Sequence, residues 1–333
     1  MPAKHNTRDT DLTSALSLPD LEYHAMGWAL DGDVRNLARE YVQRRKDVSA
    51  RLLWFLRRRK SETCGTLELR AFFAYLRTGH EEPEGRWGNA RETEPLAPST
   101  IKQYHTMLRA FWNFVVAEKG LDVSPMSALK APIARPDQIQ PFTADQQRAL
   151  LTAAKKSRYS ARNVALVLFL LDTGARASEL CALRYRDLAL SERSCRVLGK
   201  GGKERTVCFG AETTGALWSM LRTHTREEEE PLFLAEGGRD PGKPLTRMGL
   251  RIIVMELGKQ AGIRGVRCSP HTLRHTFAWN WCRAGGDPFT LQVMMGHSSP
   301  AVTARYVALA KADVQAAHRK TSALDQLLRD RRR

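Results

Sequence analysis

Six side chains in the second half of the chain, Arg176, Lys200, His271, Arg274, His297 and Tyr306, are cations, proton carriers and one hydroxyl nucleophile that could gather around an anion. In HTLRH, Ser269 can cap a helix and Pro270 can occupy its first turn, which puts His271 and Arg274 three apart on one face. A helix N-terminus carrying an arginine and an imidazole suits an anion such as phosphate. A zinc site competes there, since Cys268, His271 and His275 lie close together, but no further Cys or His completes a known ligand spacing. In TGARASEL, Arg176 follows a helix stop at Asp172, Thr173 and Gly174, next to apolar packing, where its charge needs an anion or a carboxylate. Glu179, three residues on, could serve as a purely structural partner.

In GKGGKERTV, Lys200 and Lys203 flank a Gly-Gly turn that would let a lysine swing into a cleft, and no P-loop pattern is present. In GHSSPAVTARYV, His297 and Tyr306 are nine residues apart, with Pro300 opening the intervening helix. Taken singly, each of these features also has a bland reading: a surface ion pair, a solubilising lysine, a tyrosine in a core.

The elements that must position them are mainly helical. From about Leu21 to Leu129 apolar residues recur every three or four positions, as in SARLLWFLRR and TIKQYHTMLRAFWNFVVAEKG. A Gly-, Pro- and charge-rich stretch, GHEEPEGRWGNARETEPLAPST, predicts a long loop ended by a Ser99 or Thr100 cap. Pro132, Pro136 and Pro141 suit an extended linker. Thr143 with Gln146 then reads as a capping box. Farther on, SCRVLG and ERTVCFG joined by KGGK predict a β-hairpin, with more helices after it. The expected fold class is therefore mainly α with a small β-sheet (α+β). The expected segments are a flexible N-terminus (1–20), a helical domain (21–130), a linker (131–142), a second domain (143–310) and a C-terminal tail (311–333).

Composition narrows the function class. A chain of 333 residues with 42% apolar content supports two globular domains. Its longest apolar run, Val164 to Leu171, is too short to span a bilayer, and the first residues lack a secretory h-region, so a cytoplasmic protein is expected. Six widely spaced cysteines then read as free thiols. The net charge of +17 points to a polyanion. Residues 143–333 carry 32 Lys+Arg against 18 Asp+Glu, and residues 1–142 carry 21 against 18. Within that nearly balanced first part, Arg44 to Lys60 holds eight basic residues and one acid, a basic helix in a neutral domain.

Together, TGARASEL, GKGGKER, HTLRHTFA and LQVMMGHSSPAVTARYV, in this order and near these separations, resemble the arginine, lysine and His–Tyr boxes of the tyrosine recombinase (phage integrase) family, which includes the Xer-like site-specific recombinases. The match runs from about Thr143 to Leu309, with none of the six active-site types replaced. The resemblance implies a SAM-like core-binding domain followed by a catalytic domain that cuts and rejoins duplex DNA through a 3′-phosphotyrosine and a Holliday junction. It gives Tyr306 the nucleophile's part. Arg176 and Arg274 would clamp the phosphate, Lys200 would protonate the leaving 5′-oxygen, His271 would handle the tyrosine proton, and His297 would donate a hydrogen bond to the phosphate. No cofactor or metal is implied.

The implied partner is double-stranded DNA, held by a homotetramer on two sites in a nucleoid-associated setting, with Arg44, Arg45, Arg57, Arg58, Arg59, Lys60 and Lys102 as candidate DNA contacts. Type IB topoisomerase-like relaxation and an inactive DNA-binding regulator are the alternatives. Leu324, Leu327 and Leu328 form a stripe in the tail, which packs on its own domain or, as the resemblance favours, on a neighbouring protomer.

Overall fold

The computed structural model describes residues 14–80, 84–133, 140–199, 202–222, 227–237, 241–297 and 299–310. The chain divides into two compact units, Met1–Asp137 and Gln138–Arg333.

The first unit has four described helices: α1 (Leu18–Val34), α2 (Arg39–Arg58), α3 (Thr66–Arg77) and α4 (Pro98–Ala117). Ser17 caps α1 by accepting from the Asp20 amide, and Asp20 lies in the first turn, where the helix dipole favours an acid. Two-residue strands β1 (Leu16–Ser17) and β2 (Thr63–Cys64) pair antiparallel in front of α1 and α3. Their apolar faces meet in a core containing Trp28, Leu52, Leu56, Phe72, Leu108, Phe111 and Trp112. Helix α4 begins one or two residues before the expected Ser or Thr cap. Pro98 occupies its first turn and Ala97 precedes it without a side-chain cap, since proline supplies the helical φ and removes one unpaired amide.

The second unit opens with α5 (Ala144–Lys156), capped by the expected reciprocal pair: Thr143 Oγ1 accepts from the Gln146 amide, and Gln146 Oε1 from the Thr143 amide. Phe142, just before it, is fully buried in this unit's core, and its amide donates to Thr276 Oγ1. Helix α6 (Ser160–Thr173) is the central rod, with Ala165, Leu166, Val167, Phe169 and Leu170 all excluded from solvent. It stops at Gly174, which has a positive φ of 60° and lies so close to the Phe277 ring that a Cβ would collide.

After α7 (Ala177–Ala182) come β3 (Leu188–Ala189), β4 (Ser194–Leu198) and β5 (Glu204–Cys208) in one antiparallel sheet of that order. The β4–β5 register pairs Cys195 with Val207 and Leu198 with Glu204, so the predicted hairpin is present with a short third strand beside it. The remaining helices are α8 (Ala211–Leu221), α9 (Arg247–Gln260), α10 (Pro270–Arg283), α11 (Pro288–Met295) and α12 (Pro300–Ala310). Helix α8 was not anticipated, because AETTGALWSML mixes small, polar and apolar residues with only three positions buried. Mainly α with a small sheet is thus the observed class. Among the described residues no helix is long and apolar enough to cross a membrane.

Candidate active site

Glu179, 2% exposed, organises the site. Its carboxylate accepts from the Arg176 amide at 2.8 Å and from Arg176 Nη1 at 2.7 Å. It also accepts two bonds from Arg205, at 2.7 and 2.8 Å. Burial alone would raise its pKa, but the hydrogen bonds from Arg205 and then Arg176 outweigh it and hold the group at about 2. The carboxylate stays ionised, as the partner of two guanidinium groups.

The same two arginines, joined by Arg274 of α10, converge on the end of α11. Met294 O accepts from Arg205 Nε, Met295 O from Arg274 Nη2 and Gly296 O from Arg176 Nη2, each at 2.7 Å. The last carbonyls of a helix have no partners within it and carry the negative end of its dipole. Helix α11 has no basic residue in its own last turn, so three arginines from other elements fill that place. Arg274 also donates Nη1 to Gly174 O at 2.6 Å, tying the stop of α6 to α10. Three cations with one carboxylate leave the cluster positive. Burial, reinforced by Arg176, pulls the Arg274 pKa down to about 10, so it remains charged at neutral pH, and among the described residues its hydrogen-bond partners are backbone carbonyls. An anion placed here would complete it.

The histidines and the tyrosine complete the site. Ser269 caps α10 by accepting from the Thr272 amide, which sets His271, Arg274 and His275 on the first turns of that helix. His271 is solvent-facing, and its pKa is lowered by partial burial and by Arg274 and Arg176. His297 Nδ1 pairs with Thr303 Oγ1 of α12 at 3.0 Å. Its ring lies nearly parallel to Tyr306, 8° between planes and 6.2 Å between centroids. Tyr306 is 1% exposed, packed with Phe277, Ala278, Cys282, Leu291 and Met295. Its Oη lies 2.5 Å from His275 Nδ1. Burial raises the phenol pKa, partly offset by Arg274.

Five of the six expected residues, Arg176, Arg274, His271, His297 and Tyr306, thus lie in one linked cluster. Lys200 lies outside the described residues, as does the tail 311–333. Two members of the cluster were not anticipated. Arg205 sits on the inward side of β5 with Val207, and a cation at that position of the alternation is the signal that could have revealed it. His275 was read only as a zinc competitor. Cys268, its proposed co-ligand, packs against Gly258 and points its thiol to Val266 O, and no group of three or more metal-binding side chains exists among the described residues.

Burial, reinforced for His275 by His271 and for His297 by Arg274, depresses both pKa values to about 4, from the ordinary 6.5. Folding therefore favours the neutral rings, and the unfolded chain binds more protons between these values. The stability they contribute is complete above pH 6.5 and is lost as pH falls toward 4. Lowering pH from 7 to 5 is expected to cost on the order of 1 kcal/mol per ring after solvent screening, several degrees of Tm for the second unit. A flat Tm across that interval would contradict the neutral, buried state of both rings.

The first unit holds the candidate DNA contacts on α2, just past its C-terminal end, and on α4. Arg44, Arg57, Arg58, Arg59, Lys60 and Lys102 are exposed. Arg57 pairs with Glu22 at 2.7 Å and Arg58 with Glu84. Arg45 is different: it is buried, donates to Trp28 O at 2.5 Å and Asp31 at 2.9 Å, and lies over the Trp28 ring. Its charge is spent joining α2 to α1, which removes it from the surface set.

Comparison with known proteins identifies the family. The phage integrase family matches residues 140–313. The tyrosine recombinase XerC of Actinobacillus pleuropneumoniae serotype 7 is 30% identical over 228 residues, 67% of this chain and 72% of the relative. The tyrosine recombinase XerD of Halalkalibacterium halodurans is 32% identical over 221 residues, 65% of this chain and 72% of the relative. Among solved structures, the integrase of the Tn1549 transposon in complex with transposon right end DNA superposes with a TM-score of 0.68 at 19% identity, over 90% of this chain and 100% of that one. On the family match and these relatives, the chain belongs to the phage integrase family of tyrosine-type DNA strand transferases, the enzymes of site-specific recombination.

Proposed function

We propose that Tyr306 attacks a phosphodiester of duplex DNA to form a 3′-phosphotyrosine, and that a 5′-hydroxyl from a second duplex then resolves it. The convergence of Arg176, Arg205 and Arg274 on one helix end, with Arg176 and Arg205 also sharing the Glu179 carboxylate, carries this reading. It leaves a fixed positive site close to the tyrosine. Attack on a phosphodiester is slow because a nucleophile approaches an anion and an alkoxide must leave. Arg176 and Arg274 answer the first difficulty by donating to the non-bridging oxygens, and such preorganised donors contribute roughly 3–4 kcal/mol each. His297 adds a third donor through the ring nitrogen not bound to Thr303. Lys200 answers the second by protonating the 5′-oxygen. The covalent link conserves the energy of the broken bond, so the second strand can reverse the chemistry on a new partner.

Four protomers on two duplexes would carry out the exchange in the cytosol, at the nucleoid. Arg44, Arg57, Arg58, Arg59, Lys60 and Lys102 would contact phosphates and position the first unit without reading sequence. Incubating the protein with two copies of its site and resolving the products by gel tests this reading. Four-way junctions are expected, whereas relaxation of supercoils without junctions would indicate topoisomerase-like chemistry.

Lys200→Ala is expected to slow cleavage of an ordinary phosphodiester by about 10²- to 10⁴-fold, and to slow far less the cleavage of a substrate whose leaving group is a 5′-thiolate, which needs no proton. Single-turnover rates on both substrates check this. Equal slowing would pass the general-acid role to Lys203.

A further inference from the structure

Arg205 stands outside the six-residue set, and its bonding marks it as part of what holds that set in place. Each of its three nitrogens donates to a protein atom: Nε to Met294 O at 2.7 Å, Nη1 to Glu179 Oε1 at 2.7 Å and Nη2 to Glu179 Oε2 at 2.8 Å. Its side chain is 12% exposed, against 32% for Arg176. Glu179 is equally committed, since Oε1 also accepts from Arg176 Nη1 and Oε2 from the Arg176 amide. Two bonds on each oxygen fill the acceptor sites of a carboxylate. The bonding of both groups is directed into the protein, which suits a framework rather than a phosphate clamp.

Two glycines show what this framework supports. Gly199 closes the β4–β5 turn by donating its amide to Lys203 O at 2.7 Å, and Lys200 is the next residue. A Cβ at Gly199 would stand 3.6 Å from Arg205 Nη1 and 3.8 Å from Glu179 Oε1, so the base of the turn rests on the ion pair. Gly296, which ends α11 with a positive φ of 61° and precedes His297, lies against the same guanidinium: a Cβ there would be 3.3 Å from Nη1 of both Arg205 and Arg176. We propose that the Arg205–Glu179 pair is a positioning hub that holds the Lys200 turn, Arg176 and the His297 end of α11 at fixed distances from one another, so that leaving-group protonation and phosphate clamping are coupled through it. The proposal rests on the reading of Lys200 as general acid and Arg176 as part of the clamp.

A planar guanidinium with donors at fixed angles sets both the distance and the orientation of the groups it joins. Lysine in its place would keep a cation beside Glu179 but bond from one nitrogen on a flexible stem, leaving the carboxylate, the strand and Met294 O less firmly related. A displacement of about 1 Å in a catalytic group costs about 10²-fold in rate. Removing the cation altogether would leave a buried carboxylate short of partners and endanger the fold, so the conservative substitution is the informative one.

Single-turnover cleavage is measured on a nicked duplex with an ordinary 5′-oxygen leaving group and on one with a 5′-thiolate, which needs no proton. Arg205→Lys is expected to slow the 5′-oxygen substrate about 10²-fold and the 5′-thiolate substrate tenfold or less. The smaller loss reports Arg176 and His297, and the difference reports Lys200. Adding Arg205→Lys to Lys200→Ala is expected to cost no more than about tenfold further on the 5′-oxygen substrate, because the acid it would displace is already gone. A residue that only stabilised the fold would slow both substrates alike, and its effect would multiply with that of Lys200→Ala.

Equal slowing of the two substrates by Arg205→Lys, fully multiplicative losses in the double variant, or near-parental rates on both substrates would each overturn the coupling. Thermal melting checks the fold in parallel. Should Arg205→Lys fail to fold, the double variant Arg205→Gln/Glu179→Gln, which removes both charges together, decides the matter by the same comparison of leaving groups. Equal slowing by Lys200→Ala itself is a different failure, that of Lys200 as general acid. A thiolate preference kept by Arg205→Lys would then assign the acid to Lys203 on the same turn and uphold the coupling, and its loss would overturn it.

Discussion

Tyr306→Phe is expected to abolish covalent attachment to DNA and all strand exchange while leaving the fold and DNA affinity in place. The phenyl ring keeps its buried contacts with Phe277, Leu291 and Met295 and its parallel placement on His297. What is lost is the hydroxyl and its bond to His275, a net cost near 1 kcal/mol that leaves a partly buried ring nitrogen to find another partner. The arginine cluster lies on other side chains and carbonyls, so the anion site persists. Gel-shift affinity within about threefold of the parent, with a Tm a few degrees lower and no adduct on a suicide substrate, is the expected set of results. Residual adduct in the variant would mean that another side chain attacks.

Arg274→Ala carries the second large effect, and it acts on both rate and stability. Losing a transition-state donor of roughly 3–4 kcal/mol slows cleavage by about 10²- to 10³-fold. The substitution also leaves Gly174 O and Met295 O, both within a packed region, without the guanidinium that joins them, at about 1–3 kcal/mol for each carbonyl that finds no water. Removing a buried cation from beside Arg176 returns part of that cost. Arg274→Lys separates the two effects. An ammonium cannot span two carbonyls and a phosphate with the fixed fork of arginine, so charge is kept while geometry is lost. The lysine variant is expected to melt closer to the parent than the alanine variant, yet to remain at least tenfold slow. Cleavage by Arg274→Ala within tenfold of the parent would remove Arg274 from the phosphate clamp.

The parts of this site that are legible in the sequence share a physical feature: each is announced by a helix start or stop a few residues away. Ser269-Pro270 announces the turn that carries His271 and Arg274, Pro300 the helix that carries Tyr306, and Gly174 the stop that precedes Arg176. Local rules of capping and backbone freedom operate there within a few residues, so the sequence displays them. Arg205 reaches the site through strand pairing and the far end of α11, a meeting of residues 89 apart in sequence that no local rule encodes. His275 lies near Cys268 along the chain, which suggests a metal pair, whereas its partner in the fold is Tyr306, across the α10–α12 contact. Arg45 is the opposite case. A run of basic residues reads as one charged face, but helical geometry turns one in every few inward, and this arginine joins Trp28 and Asp31 within the fold.

Delivery of Tyr306 to a phosphodiester by the cluster on α10, α11 and α12 is tested by trapping the protein on a nicked suicide duplex, digesting the complex with protease and nuclease, and mapping the DNA-linked peptide by mass spectrometry. A single phosphotyrosyl adduct at Tyr306 is expected, joined to the 3′-phosphate of the cut strand with a free 5′-hydroxyl beyond it. An adduct on any other residue, or attachment through a 5′-phosphate, would contradict it.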